Sequence, residues 1–422
     1  MIQKPKGTYD VFGIYGKKIL YIEELIEGLM EKYNYEYFRT PLFESSNLFH
    51  RGVGETTDII TKETYDFKDK GDRLLTLRPE GTAGVVRSFI ENKMYGTYSM
   101  PVKAWYYGPM YRYERPQKGR FREFYQFGVE AFGSNSPILD AEVISVPVNL
   151  FKLLGLKNVR VKINSLGDSE SRNNYREALI EYFKPNIDSF CSDCKDRLEK
   201  NPLRILDCKI DKDNSIMKSA PKTIDYLNEE SKKHFENVKK YLEAMDIDYE
   251  VDTNLVRGLD YYTHTVFEVE ADIKDFGSQN VLCGGGRYNN LVETLDGPKT
   301  DGVGFAMGME RVMEAIESES INLPMVNEID CYIIPLSKNE NEYATKLCMD
   351  LRLNGFIVDM DYDNRNLKSN FKTSDKKGSK FVIIIGEEEQ KTNILTIKNN
   401  NTKEEQKIKY EELLDFLDEK VM

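Results

Sequence analysis

The chain is poor in cysteine, tryptophan and histidine: its 422 residues include six cysteines, one tryptophan and three histidines. The six cysteines show no regular disulfide framework, so we expect free thiols in a reducing compartment. No apolar run approaches the roughly 18 residues of a membrane-spanning helix, and the first residues, MIQKPKGTYDVFG, contain no apolar signal core. These absences argue against a disulfide-rich secreted domain and against a membrane protein, and they predict a cytoplasmic one.

The two common nucleotide-binding fingerprints are also missing. In GVGFAMG the glycines stand at 302, 304 and 308, and the third is one residue late for a Rossmann site. GGGRY (284–288) is not followed by the Gly-Lys-Ser/Thr of a Walker A loop. These glycines let the backbone approach a flat ligand closely, although a glycine-rich turn before a capped helix has the same composition.

Positive charge is scarce overall but concentrated in two segments. The formal net charge is −12, which argues against indiscriminate nucleic-acid binding, because such binding depends on neutralising phosphates. Residues 112–122 and 365–380 are nevertheless strongly basic. An acidic remainder would repel RNA elsewhere and help to orient it on these two surfaces.

The order of sequence patterns predicts two domains. Residues 14–33 have helical apolar spacing and are followed by Pro41. Residues 100–132 and 255–310 alternate like strands. We therefore expect a catalytic domain over 1–322, α+β and built on a mainly antiparallel sheet, with a helical insertion at about 170–250. Strand–helix alternation over 328–422 predicts an α/β domain with a mostly parallel sheet.

The most informative segment is MYRYERPQKGRFREFYQFGVE (110–130), a strand, a basic turn and a second strand. Alternation in the second strand puts Gln126 and Glu130 on a polar face and Phe127 and Val129 on an apolar face. Arginine forks in the turn suit phosphate oxygens. A solvated hairpin remains the alternative.

This segment resembles motif 2 of the class II aminoacyl-tRNA synthetases, and its fuller wording resembles that of the histidyl-tRNA synthetase family. Further matching motifs occur in the order of that family: RGVGETTDIITKETYDF (51–67), LTLRPEGTAG (75–84), LVRGLDYYTHTVFEV (255–269), GGGRYNNLVE (284–293) and DGVGFAMGMERV (301–312). The resemblance covers most of the first 320 residues. It implies that residues 14–41 form motif 1 of a homodimer and that the C-terminal domain binds the anticodon. The chain departs from the family at Asn289-Asn290, where Asp-Gly is usual.

The resemblance also implies an activity, the ATP-dependent ligation of L-histidine to tRNA(His) through histidyl-adenylate, with ATP bound as its Mg²⁺ complex. Arg112 and Arg257 would be catalytic. The implied histidine contacts are Glu80, Gly81, Thr82, Arg112, Gln126, Glu130, Arg257, Tyr261 and Tyr262. The implied ATP contacts are Arg112, Glu114, Arg120 and Arg311, and the implied tRNA contacts are Arg115, Gln117 and Lys118.

Several residues have a simpler structural interpretation. Arg257 could form a salt bridge, with Asp260 as a candidate partner, because an arginine in an apolar strand needs an anion. Glu80 and Thr82 have the composition of a helix cap, which is the better interpretation from their local sequence alone. Cys191, Cys194 and Cys208 have half of a zinc-ribbon pattern, but no fourth ligand is evident, so we predict no metal site.

Two other functions are compatible with parts of the pattern. One is a non-catalytic, histidine-sensing regulatory paralogue, which would lack the C-terminal domain and lose catalytic arginines. The other is a class II synthetase for another amino acid, such as threonine or proline. Retention of Arg112, Arg257 and Arg311 argues against the first, and the LDYY signature with Glu130 argues against the second.

Overall fold

The computed structural model describes residues 1–54, 57, 59–206, 208, 210–211, 213–259, 261–273, 280–324 and 328–421. Asp260, the candidate partner of Arg257, lies outside these residues. Within them, no helix combines the length and the apolar character needed to cross a membrane.

The strands and helices are numbered here in chain order. The strands are β1 (Glu36–Tyr37), β2 (Phe43–Ser45), β3 (Tyr65–Lys68), β4 (Leu74–Leu77), β5 (Val102–Tyr111), β6 (Glu123–Phe132), β7 (Val159–Ser165), β8 (Glu250–Val251), β9 (Thr263–Ala271), β10 (Val281–Arg287), β11 (Gly302–Gly308), β12 (Ile329–Pro335), β13 (Val358–Met360), β14 (Ser379–Ile385), β15 (Ile394–Asn399) and β16 (Glu405–Lys409). The α-helices are α1 (Gly13–Tyr33), α2 (Ser46–Val53), α3 (Thr82–Glu91), α4 (Met94–Thr97), α5 (Pro137–Leu154), α6 (Ser169–Phe183), α7 (Ser192–Lys200), α8 (Ser215–Lys218), α9 (Glu229–Ala244), α10 (Leu291–Thr294), α11 (Met309–Ser318), α12 (Asn341–Leu353), α13 (Leu367–Lys376), α14 (Glu387–Thr392) and α15 (Leu413–Val421). Short 3₁₀ or π segments are Ile59–Glu63, Lys184–Ser189, Pro202–Ile205, Thr223–Tyr226, Lys338–Glu340 and Tyr410–Glu412.

The largest sheet among the described residues has eight strands in the order β1-β5-β6-β11-β10-β9-β7-β8. Each edge strand pairs in parallel with its neighbour, β1 with β5 and β8 with β7. The five pairings among the inner strands β5, β6, β11, β10, β9 and β7 are all antiparallel. This confirms the prediction of a mainly antiparallel sheet.

The hairpin of β5 and β6 is the longest strand pairing in that sheet. Its register runs from Val102↔Phe132 to Tyr111↔Glu123, so the basic segment 112–122 forms the connecting loop, as predicted. Phe127 and Val129 are fully buried, which confirms the apolar face of β6. The polar face lies under the candidate site.

Helices occupy the connection between β7 and β9, as expected for the insertion. Within it, α9 packs against α5. The segment from Tyr175 to Tyr226 has a small apolar core of its own, and Cys194 and Cys208 are part of it.

The chain divides into two compact units, one of Met1–Val11 with Ile22–Asn322 and one of Phe12–Tyr21 with Leu323–Met422. The sheet of the second unit has the order β13-β12-β14-β15-β16. The α/β prediction is confirmed, and the sheet is mixed rather than mostly parallel: β12 pairs in parallel with β13 and β14, whereas β15 and β16 join antiparallel. The difference arises because β15 follows the short helix α14 and then forms a hairpin with β16.

Candidate active site

A cavity of about 860 Å³, including its open mouth, lies over the centre of the large sheet. Its floor comes from β6, β10 and β11. Its walls come from the β5–β6 loop, from residues 257, 259, 261 and 262, and from the start of α11. The predicted residues that line it are Glu80, Thr82, Arg112, Glu114, Arg120, Gln126, Arg257, Tyr261, Tyr262 and Arg311.

Three arginines share one wall of the cavity. Arg112 is held by its Nε, which donates to Pro79 O at 2.9 Å, and Arg311 Nη1 donates to Val281 O at 2.8 Å. Glu114 lies between Arg112 (3.9 Å) and Arg120 (3.1 Å). Burial and the neighbouring Arg120 lower the pKa of Arg311 to about 10. Like charges held this close are stabilised by an anion, and a polyphosphate supplies several.

Arg257 also lines the cavity and forms an ion pair with Glu268 of β9. Burial alone would lower the pKa of Arg257, but the Glu268 carboxylate more than offsets this and raises it above the ordinary value. Gly284 of β10 provides the space, because a Cβ there would collide with the Arg257 guanidinium. The salt-bridge interpretation is therefore correct, with Glu268 as the partner, and Arg257 still lines the cavity.

Polar acceptors surround the far end of the cavity. The Glu80 carboxylate accepts from the backbone N–H of Thr82 (3.1 Å) and of Ala83 (2.7 Å) at the start of α3. The capping interpretation is therefore confirmed for Glu80, which also lines the cavity. It is wrong for Thr82, the first residue of α3, whose hydroxyl donates to Glu130 instead. Gln126 is almost fully buried, and its Oε1 has no hydrogen-bond partner among the described residues. An unsatisfied buried oxygen indicates a ligand that donates a hydrogen bond.

Two tyrosines close the same end. The rings of Tyr261 and Tyr262 lie 4.7 Å apart, and Tyr261 is 5.7 Å from Tyr288. Burial raises the pKa of Tyr261 well above its ordinary value, so its hydroxyl stays protonated. Neutral phenols can both donate to and accept from a polar ligand.

Glu130 does not line the cavity, contrary to the prediction. It is fully buried beneath the floor, where it accepts hydrogen bonds from Thr82 Oγ1 at 2.6 Å and from the Tyr288 hydroxyl. Its place depends on Gly304 of the paired strand β11, where a Cβ would collide with the Glu130 carboxylate. Strand alternation gives the face of the sheet correctly, but it does not reveal that Thr82 and Tyr288 lie over this side chain.

Burial raises the pKa of Glu130 to about 8 from its usual 4.5, which predicts a pH-dependent cost to folding. The folded state binds the extra proton, so the stability from this group is present below about pH 4.5 and is lost as pH rises through about 8. At about pH 9 we expect Glu130→Gln to be more stable than the wild type by on the order of a few kcal/mol in the free energy of unfolding, and so to melt at a higher temperature. The difference should shrink towards about pH 6. Thermal unfolding across this pH range measures it.

Glu123→Gln is the matched control, since Glu123 is on the same strand but partly exposed. It should leave the pH profile of stability unchanged. Coincident wild-type and Glu130→Gln profiles would show that Glu130 is not held neutral in the fold.

Gly81 and the predicted tRNA contacts also lie off the cavity lining. Gly81 is buried under Tyr106, whose ring leaves no room for a side chain. Arg115, Gln117 and Lys118 are exposed in the β5–β6 loop, and Lys118 Nζ is 3.1 Å from Glu314. These three residues are therefore exposed loop residues and are not part of the cavity lining.

Sequence reasoning missed three residues of the site: Glu268, Tyr288 and Glu310. Glu310 lines the cavity, and its Oε1 accepts from the Tyr9 hydroxyl (2.6 Å) and from Tyr125 N (2.8 Å). Two of them could have been found from the motifs: Tyr288 is the last residue of GGGRY, and Glu310 directly precedes Arg311. Asn289 lies beside the buried Arg287 (3.5 Å) and outside the cavity lining.

The cavity thus combines a wall of three arginines, the ion-paired Arg257 and a polar end with buried acceptors. A profile described as histidyl-tRNA synthetase matches residues 16–312, which is more than half of the chain. The chain belongs to the histidyl-tRNA synthetase family. A second profile, described as anticodon binding domain, matches residues 330–420.

Relatives match this chain along its whole length. It is 51% identical over 406 residues to histidine–tRNA ligase of Anoxybacillus flavithermus, with 96% of each chain covered. It is 50% identical over 421 residues to histidine–tRNA ligase of Bacillus cytotoxicus, with 100% of each chain covered. The apo structure of Staphylococcus aureus histidyl-tRNA synthetase is similar with a TM-score of 0.86 and 45% identity, over 99% of this chain and 100% of that one. The family assignment and fold class drawn from the motifs are confirmed.

Proposed function

We propose that this chain ligates L-histidine to tRNA(His) in two steps that use ATP. A histidine carboxylate oxygen attacks the α-phosphorus of ATP, which gives histidyl-adenylate and releases pyrophosphate. The terminal ribose hydroxyl of the tRNA then attacks the adenylate carbonyl, and AMP leaves. Full-length identity of about half to histidine–tRNA ligases supports this reaction over the regulatory and other-amino-acid alternatives.

The arginines act by positioning ATP and stabilising charge. Arg112 and Arg257, which both line the cavity, hold the α-phosphate. Arg120 and Arg311 hold the distal phosphates, with Glu114 keeping Arg112 and Arg120 in place. Preorganised donors of this kind lower the barrier without reorganising during the reaction. ATP enters with Mg²⁺, which offsets phosphate charge. Glu114 and Glu310 would hold the ion, since Mg²⁺ prefers oxygen ligands.

The polar end of the cavity binds histidine. Glu80, Thr82 and Gln126 receive the α-ammonium group, and the unsatisfied Gln126 Oε1 supports this assignment. Tyr261 and Tyr262 offer hydroxyls to the imidazole, which needs a partner at each ring nitrogen. Glu130 contributes from beneath the floor, through the Thr82 hydroxyl that it holds, rather than by direct contact.

Two exposed surfaces receive the tRNA. Arg115, Gln117 and Lys118 meet the acceptor end beside the cavity mouth. On the C-terminal domain, the basic segment 365–380 is partly neutralised by ion pairs of Arg365 with Asp361, Lys377 with Asp359 and Lys380 with Asp330. Lys368, Lys372 and Lys376 are exposed along α13 at intervals of four and have no ion-pair partner among the described residues, so this row carries the anticodon contact.

We further propose that the active enzyme is a homodimer in the cytoplasm. Support for self-association comes from the small sheet β2-β4-β3, where the apolar side chains of Phe43, Phe67 and Leu74 are 40–51% exposed. Apolar surface of this kind on a soluble enzyme commonly marks an interface.

The observation that carries the proposal is the pairing of an arginine wall with a buried hydrogen-bond acceptor in one cavity. It is tested by charging a mixed tRNA pool with ATP and each of several labelled amino acids. Histidine alone should become acid-precipitable. Periodate-oxidised tRNA, which lacks the terminal ribose hydroxyls, should abolish charging but leave histidine-dependent pyrophosphate exchange intact. Charging with a different amino acid would refute the proposal.

A further inference from the structure

Four potential metal ligands meet in the helical insertion, away from the cavity. They are the thiols of Cys191, Cys194 and Cys208 and the carboxylate of Asp211, and their ligand atoms all lie within 4.8 Å of one another. No metal site was predicted because the three cysteines had no evident fourth partner. Asp211 is that partner: Cys208-x2-Asp211 repeats the spacing of Cys191-x2-Cys194.

The distances fit a tetrahedral ion. Cys191 Sγ is 3.7 Å from Cys208 Sγ, and Cys208 Sγ is 3.4 Å from Asp211 Oδ2. Tetrahedral zinc, with bonds of about 2.3 Å to sulfur and about 2.1 Å to oxygen, separates two sulfurs by about 3.8 Å and a sulfur from an oxygen by about 3.6 Å. The widest pairs would close by about an ångström on binding.

Backbone groups already orient the ligands. Cys191 N donates to Asp211 Oδ2 at 3.1 Å, and Asp211 N lies 3.5 Å from Cys208 Sγ. In metal sites, hydrogen bonds of this kind hold the coordinating side chains in position. Cys194 is fully buried and Cys208 is 4% exposed, so water is largely excluded from the sulfur side.

We propose that Cys191, Cys194, Cys208 and Asp211 bind one structural zinc ion. Three thiolates and one carboxylate in a tetrahedral array select zinc over magnesium, calcium or manganese, which prefer oxygen ligands. The ion would cross-link Cys191 and Cys194, at the start of α7, to Cys208 and Asp211, which follow Pro202–Ile205. It would lie beside the small apolar core of the insertion, which includes Cys194 and Cys208. A core of this size gains much of its stability from such a cross-link.

Metal analysis of the untagged, full-length protein, purified under reducing conditions without chelator, tests the proposal. We expect one zinc per chain in the wild type and its loss in Cys194→Ser and in Cys208→Ser. Cys348→Ala is the matched control, since Cys348 is buried but lies in α12 of the other unit, and it should retain the metal.

Cobalt substitution and Asp211 variants keep the test informative if the serine variants misfold. The Co²⁺ protein should show thiolate charge-transfer absorption. This absorption should strengthen in Asp211→Cys, and Asp211→Asn should lose zinc faster to a chelator. Chelation should raise hydrogen exchange in 169–228 and leave 328–421 unchanged.

Three results would overturn the proposal. They are a wild-type protein that holds no zinc even after zinc is added, zinc that persists in both serine variants, and a disulfide between Cys191 and Cys208 in the purified protein.

Discussion

Arg257→Ala is expected to fold and to lose histidine-dependent ATP–pyrophosphate exchange by about 10²–10³-fold. Arg257 lines the cavity together with Arg112, and in the proposed reaction these two residues face the negative charge that develops as the carboxylate attacks the α-phosphate. A donor that is fixed in place, as Arg257 is by Glu268, contributes more than a mobile one. Steady-state exchange kinetics and a melting curve of the same preparation measure the effect.

A structural role for Arg257 predicts a different outcome, because removing it takes the cation from beside Glu268. The double variant Arg257→Ala with Glu268→Gln separates the two. If the loss came from the carboxylate, the double variant would recover both stability and exchange, whereas we expect it to recover stability alone. Arg160→Ala, at an exposed arginine of β7, should behave as wild type. Near-normal exchange in folded Arg257→Ala would remove this residue from the mechanism.

Arg311→Ala should raise the KM for ATP and reduce exchange by about 10²–10³-fold, while the ligand-free protein melts no earlier than the wild type. We expect activity to fall without a loss of stability because the arginines of the wall repel one another. Burial and the neighbouring Arg120 lower the pKa of Arg311 to about 10. Removing one of three crowded cations relieves that strain in the free enzyme. It also removes a phosphate contact in the complex, so ATP should no longer raise the melting temperature.

Comparing thermal shifts with and without ATP distinguishes this account from a packing role. A variant that melts early without ligand but still responds to ATP would indicate that Arg311 mainly holds α11 to β10 through Val281. The KM for histidine should change little, because the polar end of the cavity is left intact.

Much of the fold followed from local patterns. Alternation in β6, helical spacing in α1 and the strand–helix order of the C-terminal domain depend on residues close in sequence, and each was predicted. The antiparallel addition of β15 and β16 was not, because the choice of neighbour in a sheet is a long-range property. The ion pairs that neutralise part of 365–380 were missed for the same reason, since Asp330 is 50 residues from Lys380.

The sequence predicted which residues form the candidate site more completely than it predicted where their side chains lie. Motif resemblance identified the arginines and the polar end, ten of whose predicted members line one cavity. The depth of Glu130 could not be read from alternation, because periodicity gives a face and Tyr288, 158 residues away, decides what lies over it. Glu268 and Asp211 escaped because an ordinary acidic residue gives no sign of its partner until the chain folds.

The central claim, that the cavity activates histidine with ATP, is tested most directly by amino-acid-dependent ATP–pyrophosphate exchange with all twenty amino acids in parallel. We predict exchange with histidine and background with the others, since a site that hydrogen-bonds a polar side chain rejects most analogues by about 10⁴-fold or more. Exchange with another amino acid, or with none while the protein is folded and ATP is bound, would contradict the account.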